Sequence, residues 1–152
     1  RACRKSESMP SDDSCIFCRI VAGQEAASLV YRDDLVTAFM DILPVNIGHL
    51  LVVPNQHSAD LAGLDGDSGA RMFTVATRLG GALRRSGVQC EGVNLYLADG
   101  RAAGQEVFHI HLHVLPRYEG DGFGLRRTKH LGPATRADLE NVAARVRSSL
   151  GE

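Results

Sequence analysis

Residues 107–115 read Val-Phe-His-Ile-His-Leu-His-Val-Leu, in which three histidines alternate with Ile110, Leu112 and Val114. A period of two is the signature of a strand with one face on a core. The pattern predicts a strand over 107–115 with Ile110, Leu112 and Val114 turned inward. His109, His111 and His113 then emerge together on the opposite face. Same-face neighbours on a strand lie about 6.5–7 Å apart, close enough to act on one small ligand.

Other segments follow the same logic. Cys15 to Gly23 predicts a knuckle running into a short helical turn. Ser28–Tyr31 and Leu35–Met40 predict a hairpin around Asp33-Asp34. Asp41–Gly48 is a loop holding Pro44 and Asn46, and His49–Val53 a strand stopped by Pro54. Asp65 to Ser68 offers capping groups for a helix whose buried stripe is Met72, Phe73, Ala76, Leu79 and Leu83. Gly80-Gly81 costs that helix about 1 kcal/mol per glycine, which close packing against a strand or another chain would offset. Gly87 is its stop. Val93–Ala98 is a further strand, Asp99–Gly104 a small-residue loop and Gly120–Gly132 a Gly- and Arg-rich loop. Thr135 with Asp138 resembles a capping box. Leu139, Val142, Ala143, Val146 and Leu150 then form the buried stripe of a last helix.

Hairpins without regular strand–helix alternation predict an α+β domain, an antiparallel sheet of about five strands with two main helices. Arg1 to Asp13 carries no apolar period and reads as a flexible tail ahead of a single domain over 14–152. A chain of 152 residues supports one sizeable core. The formal net charge of −1 makes long nucleic acid a poor partner. No apolar run reaches membrane-spanning length, and no signal peptide is evident. The four cysteines lack a secreted disulfide context, so a cytoplasmic location is expected.

Chemistry concentrates in two places. Three of the six histidines sit in the alternating run. Imidazole there can be nucleophile, proton donor or metal ligand, where a single histidine on a polar face would do nothing. The preceding loop, Ala98 to Glu106, holds Gly100 and Gly104, whose backbone N–H groups could cradle a phosphate beside the imidazoles. Cys15-x-x-Cys18 suits either half a zinc site, completed by two imidazoles, or a redox pair. Arg117, Arg126, Arg127 and Lys129 are read as a solvated basic face. Tyr118 and Phe123 suit a dimer contact or a place near a base.

The run His109-Ile-His-Leu-His-Val-Leu115 resembles the signature of the histidine-triad superfamily. The likeness extends in order to Cys15-Ile-Phe-Cys-Arg-Ile, Tyr31-Arg-Asp-Asp, Ala38-Phe-Met-Asp-Ile42, Gly48 to Pro54 with His57, and Gly104-Gln105, over roughly residues 14–150. It points to the zinc-bearing bacterial branch. The resemblance implies a cytoplasmic homodimer that acts at the α-phosphorus of nucleoside phosphoramidates or dinucleoside polyphosphates. It makes His111 the nucleophile and His113 the group that binds a phosphoryl oxygen or helps protonate the leaving group. His49 would lie beside His111 and orient it. Asp41 and Ile42 would meet the ribose and base of a purine nucleotide, and Gly104, Gln105 and Glu106 the phosphates. Cys15, Cys18, His57 and His109 would hold a structural zinc.

Two positions depart from the family pattern. Ala98 stands where many relatives have asparagine, and Glu106 where they have serine, both phosphate contacts. A nucleotide-binding adaptor with vestigial catalysis is therefore the alternative function. A catalytic transition-metal site on the histidines is a third reading, weakened because no nearby carboxylate cluster is visible to complete it.

Overall fold

The computed structural model describes residues 12–124 and 132–150. They fall into two compact units, one ending at Asp121 and the other beginning at Gly122. Most of the expected N-terminal tail, together with Arg126, Arg127 and Lys129, lies outside the described residues.

The first unit is α+β, as expected. It runs α1 (Ile16–Val21), β1 (Leu29–Arg32), β2 (Val36–Met40), β3 (Leu50–Pro54), α2 (Gly66–Arg85), β4 (Gly92–Leu97), a 3₁₀ turn at Arg101–Ala103 and β5 (Leu112–Arg117). The five strands form one antiparallel sheet in the order β1-β2-β3-β5-β4.

Both faces of the sheet centre are covered, which explains why β2 and β3 read as continuous apolar runs. On one face, α2 lays Met72, Val75, Ala76, Leu79 and Leu83 over Val36, Ala38, Leu50, Val52, Ile110 and Val114. On the other, α1 sets Phe17, Cys18 and Ile20 over Phe39, Leu51 and Val53. Each such aliphatic side chain withdrawn from water contributes about 1.5–3 kcal/mol.

Helix α2 starts where its cap was expected, with the Asp65 carboxylate accepting from the Ser68 N–H at 2.9 Å. Its stripe differs in one place. Val75 is buried and Phe73 is 59% exposed, because the sheet meets the helix about half a turn from the face Phe73 occupies. Gly80 does pack on a strand, but a β-carbon there would meet Val93 at an ordinary 3.6 Å. The glycine that packing does demand is Gly48. It has φ +98°, and a β-carbon would come within 2.9 Å of Val88.

The strand expected over 107–115 begins later, at Leu112. The register that pairs Val52 with Leu112 sets Pro54 opposite Ile110, and proline has no N–H to give. The Ile110 N–H goes to the Ser58 carbonyl instead. Inward and outward alternation nevertheless survives, since Ile110 and Val114 are fully buried in the α2 core.

In the second unit, α3 (Arg136–Ser149) is capped by Thr135, whose hydroxyl oxygen accepts from the Asp138 N–H at 3.1 Å. The stripe expected to be buried is not. Val142 and Val146 are more than half exposed, as is Leu139. Among the described residues of that unit α3 is the sole helix or strand, and no other described element of the unit covers its apolar side. No helix among the described residues is long and apolar enough to cross a membrane.

Candidate functional site

The three imidazoles line up on the α1 face of the sheet. The Phe17 ring stands edge-on to both His109 and His111, with centroids 5.9 and 5.2 Å away. The rings of His111 and His113 are 4.8 Å apart. His109 is fully buried and His111 nearly so.

The partner of one nitrogen on each ring fixes the role of the other. A carbonyl oxygen only accepts, so a nitrogen facing one carries the proton. The His109 Nε2–H donates to the Pro54 carbonyl at 2.9 Å, which leaves the Nδ1 lone pair free. That lone pair faces the Cys15 and Cys18 Sγ atoms, each 3.5 Å away. The His111 Nδ1–H donates to the His109 carbonyl at 2.7 Å, so Nε2 holds an uncommitted lone pair. In His49, Nδ1 accepts from the Val45 N–H at 3.2 Å. Its Nε2–H then donates to His113 Nδ1 at 2.8 Å, and His113 carries its own proton on Nε2.

His49 therefore braces His113, not His111 as the resemblance implied. The reason is local, because the His111 ring is already oriented by a backbone carbonyl two residues earlier. Burial is the main influence lowering the pKa of His49, His111 and His113 alike. His113 is brought down to about 4, with further lowering from His111 and His49 and partial relief from Asp41. These shifts favour the neutral form of each ring.

The second constellation is Cys15, Cys18, His57 and His109, whose ligand atoms all lie within 4.8 Å of one another. Its cysteines are free thiols. The His57 Nδ1 is 3.3 Å from Cys18 Sγ. A tetrahedral zinc with ordinary Zn–S and Zn–N bonds has S···N edges of about 3.5 Å, so the spacing fits. Burial pushes the Cys18 thiol up to about 11, and a dication in the cluster would reverse that by holding the thiolate.

A further grouping answers the transition-metal reading. Asp41, His49 and His113 also bring ligand atoms within 4.8 Å, so the carboxylate expected at the ribose also approaches the rings. His49, however, has committed one lone pair to Val45. It has none to give a cation without losing its ring proton.

The loop before the histidines behaves differently from expectation. The Gly104 N–H bonds the Arg101 carbonyl at 2.9 Å and is already committed. Gln105 is buried, not facing a ligand. Its Oε1 accepts from the Gly100 N–H, and its Nε2 donates to the carbonyls of Ala59 and Val107. Both residues thus build the loop. Ala98 is buried and Glu106 exposed, with its carboxylate near enough to His111 to favour the charged ring. Ile42 is 89% exposed, and Asp41 accepts from the Leu43 N–H at 2.9 Å. Arg117 belongs to a paired network, gripping Asp121 through two nitrogens at 2.6 and 2.7 Å.

Residue types alone did not reveal Phe17, which packs beneath the rings, or Tyr96, whose ring is 5.4 Å from that of His113. The one available signal for Tyr96 was its place on the exposed side of a half-buried strand.

The fold that carries this arrangement is shared with known proteins. The HIT domain family profile matches residues 22–120, and the chain belongs to that family. Membership places it in a superfamily of nucleotide-binding hydrolases and transferases. A HIT-like protein of Borreliella burgdorferi is 45% identical over 118 residues, 77% of this chain and 85% of that protein. A zinc-bound histidine triad family protein from Mycobacterium smegmatis superposes with a TM-score of 0.71 at 38% identity, over 90% of this chain and 97% of the other. A histidine triad nucleotide-binding protein from Candida albicans gives a TM-score of 0.79 at 26% identity, over 90% and 97%.

Proposed function

We propose that the protein is a nucleotide hydrolase or transferase that attacks the α-phosphorus of purine nucleoside phosphoramidates or dinucleoside polyphosphates. The observation carrying this reading is the oriented lone pair on His111 Nε2 beside the Nε2–H of His113. His111 Nε2 bonds to phosphorus as the bond to the leaving group breaks. The leaving group departs with that electron pair and gains a proton. Water then attacks the nucleotidyl-histidine, the N–P bond breaks, and the mononucleotide leaves. His113 donates a hydrogen bond to a phosphoryl oxygen or the leaving atom. A bound phosphate raises its pKa from about 4 toward a value at which it can pass a proton. Asp41 and exposed Ile42 flank the ring cluster where ribose and base would lie, and the Glu106 N–H is a donor for the phosphate.

Cys15, Cys18, His57 and His109 would hold a structural zinc. Zinc there would supply a cross-link between the start of α1 and the segments carrying His57 and His109, and the zinc-bound relative supports this reading. Reduced cysteines suit the cytoplasm. The outer edge of β4 is a surface on which two copies could pair as a homodimer.

Ala98 and Glu106 favour a second reading, an adaptor that binds a nucleotide without turning it over. One experiment separates the two. The protein is mixed with adenosine phosphoramidates and dinucleoside polyphosphates, quenched, and its mass measured. A nucleotidyl adduct mapped to His111 is the expected result. Tight mononucleotide binding with no adduct and no released product would favour the adaptor.

A further inference from the structure

The loop between β2 and β3 is closed by backbone bonds. The Asp41 N–H donates to the His49 carbonyl and the His49 N–H to the Asn46 carbonyl, both at 3.0 Å. This curl aims the Val45 N–H at His49 Nδ1. The side chain of Asn46 is buried, and its Nδ2 donates at 2.9 Å both to the Pro116 carbonyl and to Asp121 Oδ2. The Asp121 side chain is buried as well and is locked by Arg117, which also reaches Asn94 Oδ1 at 2.5 Å. An amide anchored at the far end of β5 thus holds the loop from which His49 is oriented.

We infer that Asn46, anchored by Asp121, is a positioning residue that sets which nitrogens of His49 and His113 carry protons. The chain of dependence has four links. Asn46 pins the curl, and the curl presents the Val45 N–H. That donor makes His49 Nδ1 an acceptor and so puts the ring proton on Nε2. His49 then donates to His113 Nδ1, and His113 offers its Nε2–H outward. Without the pin, the Val45 N–H drifts from the ring and His49 loses the donor that fixes its neutral form, leaving the Asp41 carboxylate, 3.6 Å from Nε2, as a weaker bias. His113 would then spend part of its time with a bare Nε2, which repels a phosphoryl oxygen. His111 is exempt, because the His109 carbonyl sets its proton independently.

The consequence for turnover rests on the proposed function, but the proton placement does not. Long-range ¹H–¹⁵N NMR on the zinc-loaded full chain reads each ring nitrogen directly. In wild type, His49 and His113 each show a single form protonated at Nε2. In Asn46→Ala both are expected to show averaged nitrogens, with His111 unchanged and one zinc still bound. With an adenosine phosphoramidate, kcat is expected to fall about ten- to a hundredfold while KM stays within about twofold, the pattern of a misplaced donor. Val45→Pro removes the N–H itself and is expected to give the same averaging, so the inference stays testable if Asn46→Ala does not fold. Ring nitrogens indistinguishable from wild type in either folded variant would overturn it. If the wild-type chain turns over none of the substrates, the proposed function fails while the ring nitrogens still decide this point.

Discussion

The molecule carries two imidazole clusters on one face of one sheet, built from the same residue type two positions apart, and they are tuned in opposite directions. In the cysteine-containing cluster, His109 is fully buried and its Nδ1 lone pair faces inward, toward two thiols and His57. In the other, His111 and His113 leave an Nε2 lone pair and an Nε2–H respectively without a hydrogen-bond partner among the described residues. The difference lies in the backbone. A carbonyl on Nε2 turns the Nδ1 lone pair of His109 toward the thiols, and a carbonyl on Nδ1 leaves the Nε2 lone pair of His111 open. Residue identity is the same in both, so the neighbour, not the side chain, assigns the job.

The sharpest way to break this comparison is to remove one ring or thiol from each cluster. His111→Ala is expected to lower turnover of an adenosine phosphoramidate at least about a thousandfold while the zinc content and Tm stay near wild type. Cys15→Ser is expected to do the reverse. Atomic absorption should show loss of zinc, and Tm should fall by about 10 °C, on the order of 3 kcal/mol, with measurable turnover left at low temperature. If His111→Ala released the metal, or Cys15→Ser kept it, the two clusters would not be separable.

A smaller effect tests the neutral ring of the open cluster. His113 has a folded pKa of about 4 against an ordinary 6.5. Between those values the unfolded chain binds more protons, so the stability its neutral form provides is complete above pH 6.5 and is lost progressively as pH falls toward 4. The drop in urea midpoint from pH 7 to pH 5 should therefore be smaller in His113→Gln than in wild type. An equal drop would show that the His113 ring is not held neutral by burial.

The smallest change lies away from both clusters. Gly80→Ala places its methyl in ordinary contact with Val93 and should raise stability by about 0.5–1 kcal/mol, without altering zinc content or turnover. A loss of stability would mean that α2 sits closer to β4 than described.

What could be read from the sequence divides along a physical line. Local periodicity revealed the strands, α2 with its Asp65 cap, and the shared direction of the three rings, because these depend on neighbours within a few residues. The late start of β5 was hidden, since it depends on Pro54 lying opposite Ile110 across the sheet. Phe73 and Val75 are two positions apart on one helix, and their exchange depends on where the sheet meets it. The bonds from His49 to His113, from Gln105 to Ala59 and from Asn46 to Pro116 and Asp121 are likewise long-range contacts that no spacing encodes. The resemblance supplied the grouping of His57 with Cys15 and Cys18, which periodicity alone would not have joined.

His109 takes part twice, giving its ring to the cysteine cluster and its carbonyl to His111. One residue therefore links the cysteine cluster to the orientation of the His111 ring. On the proposed function, an oxidant that disturbed the thiols would reach the His111 ring through the His109 carbonyl, and damage at a distance would register as slower turnover with His111 and His113 intact.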